Sequence, residues 1–360
     1  MVTNFGLIGK ISALIGDLLT DEDFQNLLGE QKVTGIASYL KNTPGYQPYL
    51  SSYDIELLHR RDLELILNQS NVDILLRLRN FSQAEETTVI DFILLGFEVE
   101  NLKLVTKFVL LEAYSPLEEV EKRLYQLANW SKVDFGRLLR YHTFEELLSA
   151  LSGTHYYQLF QAASSRFVRG PNLYSIENSL DYWYFSRLAK GIERFSSSAK
   201  KLAWRFFGIQ GDLLNVELIY RLRFIYHLAP ENVYGLTVPL FYYFDPDRAR
   251  DLTNTSQISE FMGYLTRSPY RKVFWGWEES AEILDEIFER RTLSYRYQTA
   301  KNFVKSKLSS LSMLLGYSAL KDFEVRDLIT VIEDVRYSLD ARLAERYFIR
   351  PVEVVSLSGS

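Results

Sequence analysis

The sequence predicts an all-α protein of three similar helical domains, because two separate motifs recur in it at one common spacing. The first motif is an amphipathic helix. In Asp322-Phe-Glu-Val-Arg-Asp-Leu-Ile-Thr-Val-Ile-Glu-Asp-Val-Arg-Tyr337, Val325, Leu328, Ile329, Val331, Ile332 and Val335 fall mostly three and four residues apart. Fainter versions run from Phe97 to Leu111 and from Gly211 to Phe224. Each places one small polar residue inside the apolar helix: Asn101, Asn215 and Asp327, in steps of 114 and 112 residues.

The second motif is a turn. Leu40-Lys-Asn-Thr-Pro-Gly-Tyr46, Leu151-Ser-Gly-Thr-His-Tyr156 and Leu265-Thr-Arg-Ser-Pro-Tyr270 share a Leu, then Thr or Ser three residues on, then Pro or His, then Tyr. Thr43, Thr154 and Ser268 lie 111 and 114 residues apart. A weaker echo, Ile-Glu-x-x-Leu-Asp, is complete at Ile176–Asp181 and degenerate near Ile55–Asp62 and Glu282–Asp285. A period of about 113 residues is a whole domain rather than a solenoid unit. It divides the 360 residues into expected domains 1–113, 114–227 and 228–360.

Composition agrees with that plan. The chain is 47% hydrophobic and 24% charged with only 18 Gly and 9 Pro, a globular, helix-rich balance rather than a disordered one. Its 23 Phe and 24 Tyr are costly to expose, so large packed cores or broad partner surfaces are expected. A formal charge of −5 argues against a general nucleic-acid binder, which needs many phosphate-neutralising cations. With no Cys there are no disulfides, thiolate metal sites or Cys nucleophiles, which fits a reducing compartment. No apolar run is long enough to span a bilayer, so no direct membrane insertion is expected; membrane association is expected through a protein partner.

In order, residues 5–19 read as a helix, with Phe5, Leu7, Ile8, Ile11, Leu14, Ile15, Leu18 and Leu19 largely on one face. Thr20 reads as the N-cap of the next helix, with Asp21, Glu22 and Asp23 in a first turn that favours negative charge. Capping outweighs a metal site for that acidic triplet. From 53 to 111 the pattern is helical, with breaks expected near Asn68–Asn71 and Asn80–Glu86. Helices are expected again after Pro116, through Phe144–Leu151 and through Ile176–Leu188. Residues 227–254, with three prolines, read as an extended loop in which Asp245 or Asp247 caps a short helix. Helices at about 278–292 and 299–316 then precede the last central helix, and Glu353–Ser360 reads as a frayed tail.

The search for chemistry turns up little. His59, His142, His155 and His227 are not at metal-ligand spacing, and His155 occupies the Pro slot of its turn, a structural position. There is no P-loop, no Gly-x-Ser-x-Gly elbow and no His-Glu-x-x-His; Gly208-Ile-Gln-Gly211 reads as a loop before a helix. No catalytic, cofactor or metal residues are therefore expected. The carboxylates of Asp245–Asp251 would serve a divalent-dependent helical enzyme; the competing reading is capping. Solvated helix faces account for most of the basic clusters at 59–61, 248–250 and 290–291. Asn101, Asn215 and Asp327 read as core polar groups fixing helix register, with a shared central cavity as the alternative. Six residues on stand Lys107, Arg221 and Glu333, about a third of a turn off that face.

The triplicate central helix, the Leu-x-x-Thr-Pro-x-Tyr turns and the opening Leu-Leu-Thr-x-Glu-Asp-Phe resemble the C subunit of the archaeal and bacterial vacuolar-type (V/A-type) rotary ATPases, the family that includes the d subunit of the eukaryotic vacuolar enzyme. The resemblance runs from Phe5 to about Pro351. It departs from the pattern in residues 227–254, at His155, and at Glu333 where the other copies are basic. The resemblance implies a funnel of three helical domains about a pseudo-threefold axis. It implies a non-catalytic rotor component without cofactors, on the cytoplasmic face of the membrane and peripheral to it. Its implied partners are the central stalk, the membrane rotor ring and the membrane stator. The basic residues Lys107, Arg221 and Arg223 would hold the stalk, with Asn101, Asn215 and Asp327 at the cavity. Outside that family, the same sequence describes a helical scaffold with no ring- or stalk-forming partner.

Overall fold

The computed structural model describes residues 4–111, 115–165, 173–274, 285–307, 309–337 and 347–350. Those residues are helices joined by turns, with no strand among them. The three expected central helices are present and longer than their motifs: Ala84–Leu110, Ser197–Tyr220 and Ser310–Tyr337. The second passes into one π-helical stretch, Arg221–Ile225. Around them run Phe5–Gly16, Arg60–Arg79, Leu173–Ile192 and Asp285–Ser306, with short helices between.

Local chemistry explains most boundaries. Thr20 caps Asp21–Leu28 through a full capping box: its hydroxyl accepts from the Asp23 N–H (3.1 Å), and Asp23 Oδ2 accepts from the Thr20 N–H (2.7 Å). Asp245, rather than Asp247, caps Pro246–Asn254, accepting the Arg248 N–H at 3.0 Å. Residues 227–254 are thus more helical than expected, since Pro230–Tyr234 is also a helix and both proline-led helices place Pro in the first turn.

Other expectations need correction. Arg60–Arg79 runs unbroken through Asn68–Asn71. There Asn68 donates to the Glu64 carbonyl (2.9 Å) and the Ser70 hydroxyl to that of Leu67 (2.6 Å), so the polar run is absorbed within the helix. Gly208 and Gly211 lie inside Ser197–Tyr220, not before it. A Cβ at Gly211 would sit 2.1 Å from the Leu240 carbonyl oxygen, so the glycines let a neighbouring segment pass close to the helix. The break expected between about 292 and 299 falls at 307–309 instead, between the last two long helices. The Ile-Glu echo is no repeat of structure: Ile55–Leu57 is a 3₁₀ turn, while Ile176–Asp181 lies in a long helix. Its third member lies mostly outside the described residues, as do the first seven residues of the expected helix at 278–292 and the tail 353–360, while 285–292 is helical.

Each central helix builds a core with short helices. Leu102, Val105 and Val109 pack with Val120, Leu138, Leu147 and Phe160 in the largest cluster. Leu213, Val216 and Ile219 pack with Val233, Leu252, Phe261 and Leu265. Val325, Leu328, Val331 and Ile332 pack with Phe24, Leu27, Ile36, Leu40 and Phe348. Fully burying each such side chain contributes about 1.5–3 kcal/mol before chain entropy is charged against it. The short helices on the third central helix thus come from the start of the chain.

Candidate partner-binding site

The polar residues of the first two central helices share one geometry, and that of the third keeps its accepting half. Asn101 Nδ2 donates to the Tyr125 carbonyl (2.9 Å) while its Oδ1 accepts the Tyr125 N–H (2.8 Å). Asn215 makes the same pair with Val238, at 3.0 and 2.8 Å. A carboxamide can bind one residue's N–H and C=O together because it carries both a donor and an acceptor. Asp327 accepts the Ile349 N–H at 2.8 Å, but its second oxygen faces the Arg350 guanidinium (3.2 Å), so here an acceptor-only group fits. All three side chains are buried and bonded, as expected of register-fixing core polar groups.

One helical turn earlier on the same face stand Glu98, Asp212 and Glu324, also buried. Each accepts the hydroxyl of a turn-motif tyrosine: Tyr156 to Glu98, Tyr270 to Asp212 (2.5 Å) and Tyr46 to Glu324 (2.7 Å). Burial, then the adjacent carboxylate, raises the pKa of all three phenols, so they stay neutral donors. Within each turn, the Thr43, Thr154 or Ser268 hydroxyl donates to the carbonyl of Leu40, Leu151 or Leu265 at 2.6–2.8 Å. The fifth position, Pro in two turns and His155 in the other, carries none of these bonds. Sequence reasoning passed over the three carboxylates, although an acidic residue three before each Asn or Asp was there to be read.

The third site is the most heavily charged. Glu324 also accepts from the Leu19 N–H (2.6 Å) and from Lys321 (2.9 Å), whose ammonium lies 3.7 Å from the Tyr46 ring centroid. Arg350 reaches the Leu19 carbonyl (3.1 Å) and covers the Phe24 ring at 3.8 Å. Burial pushes the Asp327 carboxyl up to about 6, against the opposing pull of the Ile349 N–H and Arg350.

The cations divide. Arg223 donates to the carbonyls of Thr253, Leu228 and Thr255, tying a loop to its helix. Arg221 pairs with Glu217 (2.6 Å) and Glu289 (2.7 Å). Lys107 is exposed and lines a 1220 Å³ cleft with Arg60, Arg61 and Lys103. Lys103 bridges Asp181 (2.6 Å) and Glu100 (2.9 Å); burial alone would lower its pKa, but these two carboxylates raise it. Glu333, the acidic member of the third copy, pairs with Arg60. The structure therefore brings the six expected residues onto or beside the central helices, with Lys107 lining the cleft.

Asp245 is used as a helix cap, and among the described residues no group of three or more His, Asp or Glu is placed to hold a metal ion. No described helix is long and apolar enough to cross a membrane.

The described residues form a helical protein in which the recurrent Tyr–carboxylate and Asn–backbone bonds brace the chain's own turns. The chain belongs to the ATP synthase (C/AC39) subunit family, whose model matches residues 7–347. It is 20% identical over 335 residues to the A-type ATP synthase C subunit of Methanosphaera stadtmanae, across 91% of this chain and 83% of that relative. It is 22% identical over 346 residues to the protein of that name from Methanothermobacter thermautotrophicus (91% and 82%). The same identity holds over 349 residues of that from Methanococcoides burtonii, across 94% and 92%.

Proposed function

We propose that the chain is a non-catalytic central-rotor component of a V/A-type rotary ATPase: a socket linking the central stalk to the membrane rotor ring. It passes torque between ATP hydrolysis or synthesis and ion transport. The family match over nearly the whole chain carries this reading. A torque-bearing part needs stiff joints, and the recurrent Tyr–carboxylate and Asn–backbone bonds supply them where each turn meets its helix.

The same recurrence supports triplication, with three units arranged as a funnel about a pseudo-threefold axis. We place each unit's core on a central helix and the turn that follows it, the third being completed by residues 19–50. A division into 1–113, 114–227 and 228–360 instead separates each central helix from the turn that bonds to it. The protein sits peripherally on the cytoplasmic face of the membrane, held through the ring and in contact with the stator. Lys107 and Arg221 face the stalk, while Asn101, Asn215, Asp327 and Arg223 keep the cavity in shape.

Affinity purification from gently solubilised membranes, with mass spectrometry, tests the assignment. Central-stalk and rotor-ring proteins are expected in stoichiometric amounts; a chain recovered alone refutes it. Lys107→Glu with Arg221→Glu is expected to weaken stalk retention, and unchanged assembly removes those two contacts from the proposal.

A further inference from the structure

A second cavity, of 1080 Å³, is lined by the first central helix and by Leu173–Ile192. Arg187, Lys190 and Arg194 follow one another along one wall, and Lys132 and His155 stand on its rim; all five are exposed. The carboxylates of this cavity are already engaged. Glu85 accepts the Ser196 N–H (2.7 Å), Asp91 the Trp130 indole (2.7 Å) and Arg79 (2.6 Å), and Glu98 the Tyr156 hydroxyl. Among the described residues none of Lys132, Arg187, Lys190 and Arg194 makes an ion pair; Arg187 lies 5.5 Å from the Trp183 ring centroid. Like charges three and four residues apart destabilise a helix. The helix dipole offsets this at Lys190, in the last turn, and at Arg194, just beyond the helix end. It does not account for Arg187 a turn earlier, or for Lys132 and His155 on other elements. In a chain of net charge −5, this basic groove is a local reversal of sign.

We propose that this groove binds an acidic helical segment of a partner polypeptide. Arg187 and Lys190 lie about 4.5 Å apart along the helix axis at 1.5 Å per residue, and Arg194 stands in the turn beyond the helix end at Ile192, so the three follow one another along the wall rather than sharing one turn. A compact phosphate needs convergence. A partner helix with glutamates at matching three- and four-residue steps offers a parallel file of carboxylates. Phe92 and Trp183, also in the lining, supply an apolar floor for its uncharged face.

The test uses the full chain and a labelled helical peptide with glutamates at those steps, read by fluorescence anisotropy. Binding that weakens as salt rises is expected. Arg187→Gln/Lys190→Gln/Arg194→Gln is expected to weaken it about tenfold or more. Arg140→Gln/Arg267→Gln/Lys272→Gln, which changes exposed cations outside the groove, should leave it unchanged. Replacing the three groove cations with Glu should transfer binding to a peptide carrying lysines at the same steps. Lys190→Gln alone, a minimal change at an exposed site, should give a smaller loss in the same direction. Failure of the wild-type chain to bind the acidic peptide at low salt overturns the proposal, as does undiminished binding by the triple Gln variant. Groove-dependent binding of inositol hexakisphosphate or phosphatidylserine vesicles in place of the peptide also overturns it.

Discussion

The Tyr46 hydroxyl donates to Glu324 Oε1 at 2.7 Å although 278 residues separate the two in sequence. The corresponding bonds, Tyr156 to Glu98 and Tyr270 to Asp212, each span 58. One local device is therefore used twice between neighbours in the chain and once between its two ends.

If the three bonds are equivalent, Tyr46→Phe, Tyr156→Phe and Tyr270→Phe should each destabilise the fold by a similar amount, about 1.5–3 kcal/mol for a hydrogen bond to a charged group. Urea denaturation of the single variants measures this. A negligible loss at Tyr46 beside large losses at the other two would mean that the end-to-end contact contributes little.

Asn101→Leu and Asn215→Leu should be worse. Each strands a backbone N–H and C=O that the carboxamide now satisfies, for a cost of about 2–5 kcal/mol in denaturant melts. Asn215→Asp should also destabilise, because a carboxylate cannot donate to the Val238 carbonyl. A neutral Asn215→Asp would show that the donor half of the pair is dispensable.

Two glycines should respond with opposite sign. Gly211→Ala drives a Cβ into the Leu240 backbone and should cost about 1–3 kcal/mol as the segments part. Gly9→Ala, in the exposed face of Phe5–Gly16 with nothing within 4 Å, should stabilise by about 0.5–1 kcal/mol. Thermal melts of both variants check the pair, and a gain at Gly211 would contradict the close approach.

The Asp327 carboxyl, raised by burial from 3.8 to about 6, binds its proton more tightly in the folded chain than in the unfolded one. Its stabilising contribution is complete below the unfolded value and is lost as pH rises through 6, a change of about 3 kcal/mol. Asp327→Asn cannot titrate. Its stability relative to the wild type should therefore improve by that order as pH rises across this window. Denaturant titrations at several pH values test it, and a difference independent of pH rules it out.

Much of this was legible in the sequence. The central helices declared themselves through apolar spacing, Thr20 through its following acids, and the turns through Leu-x-x-Thr/Ser. Asn101 and Asn215 could be read as core polar groups, but not their partners. Periodicity reports what one helix buries, whereas Tyr125 and Val238 reach those side chains through connections of their own. For the same reason the period placed Tyr46 with the helix after it in sequence rather than with Glu324. Asn68–Asn71 looked like a break because polar residues disfavour helices on average; there the side chains bond back to their own turn. Gly208 and Gly211 looked like a loop because the need for glycine came from a segment some thirty residues away.

The end-to-end contact also sets an order of events on the ribosome. Phe24, Leu27, Ile36 and Leu40 emerge early, yet one side of the core that buries them, Val325 to Ile332, is made some three hundred residues later. At roughly 5–20 residues per second the wait is on the order of tens of seconds, with that side of the early cluster uncovered throughout. This segment is thus among the last to be fully covered, and nascent chains stalled before residue 325 should be the ones that chaperones hold.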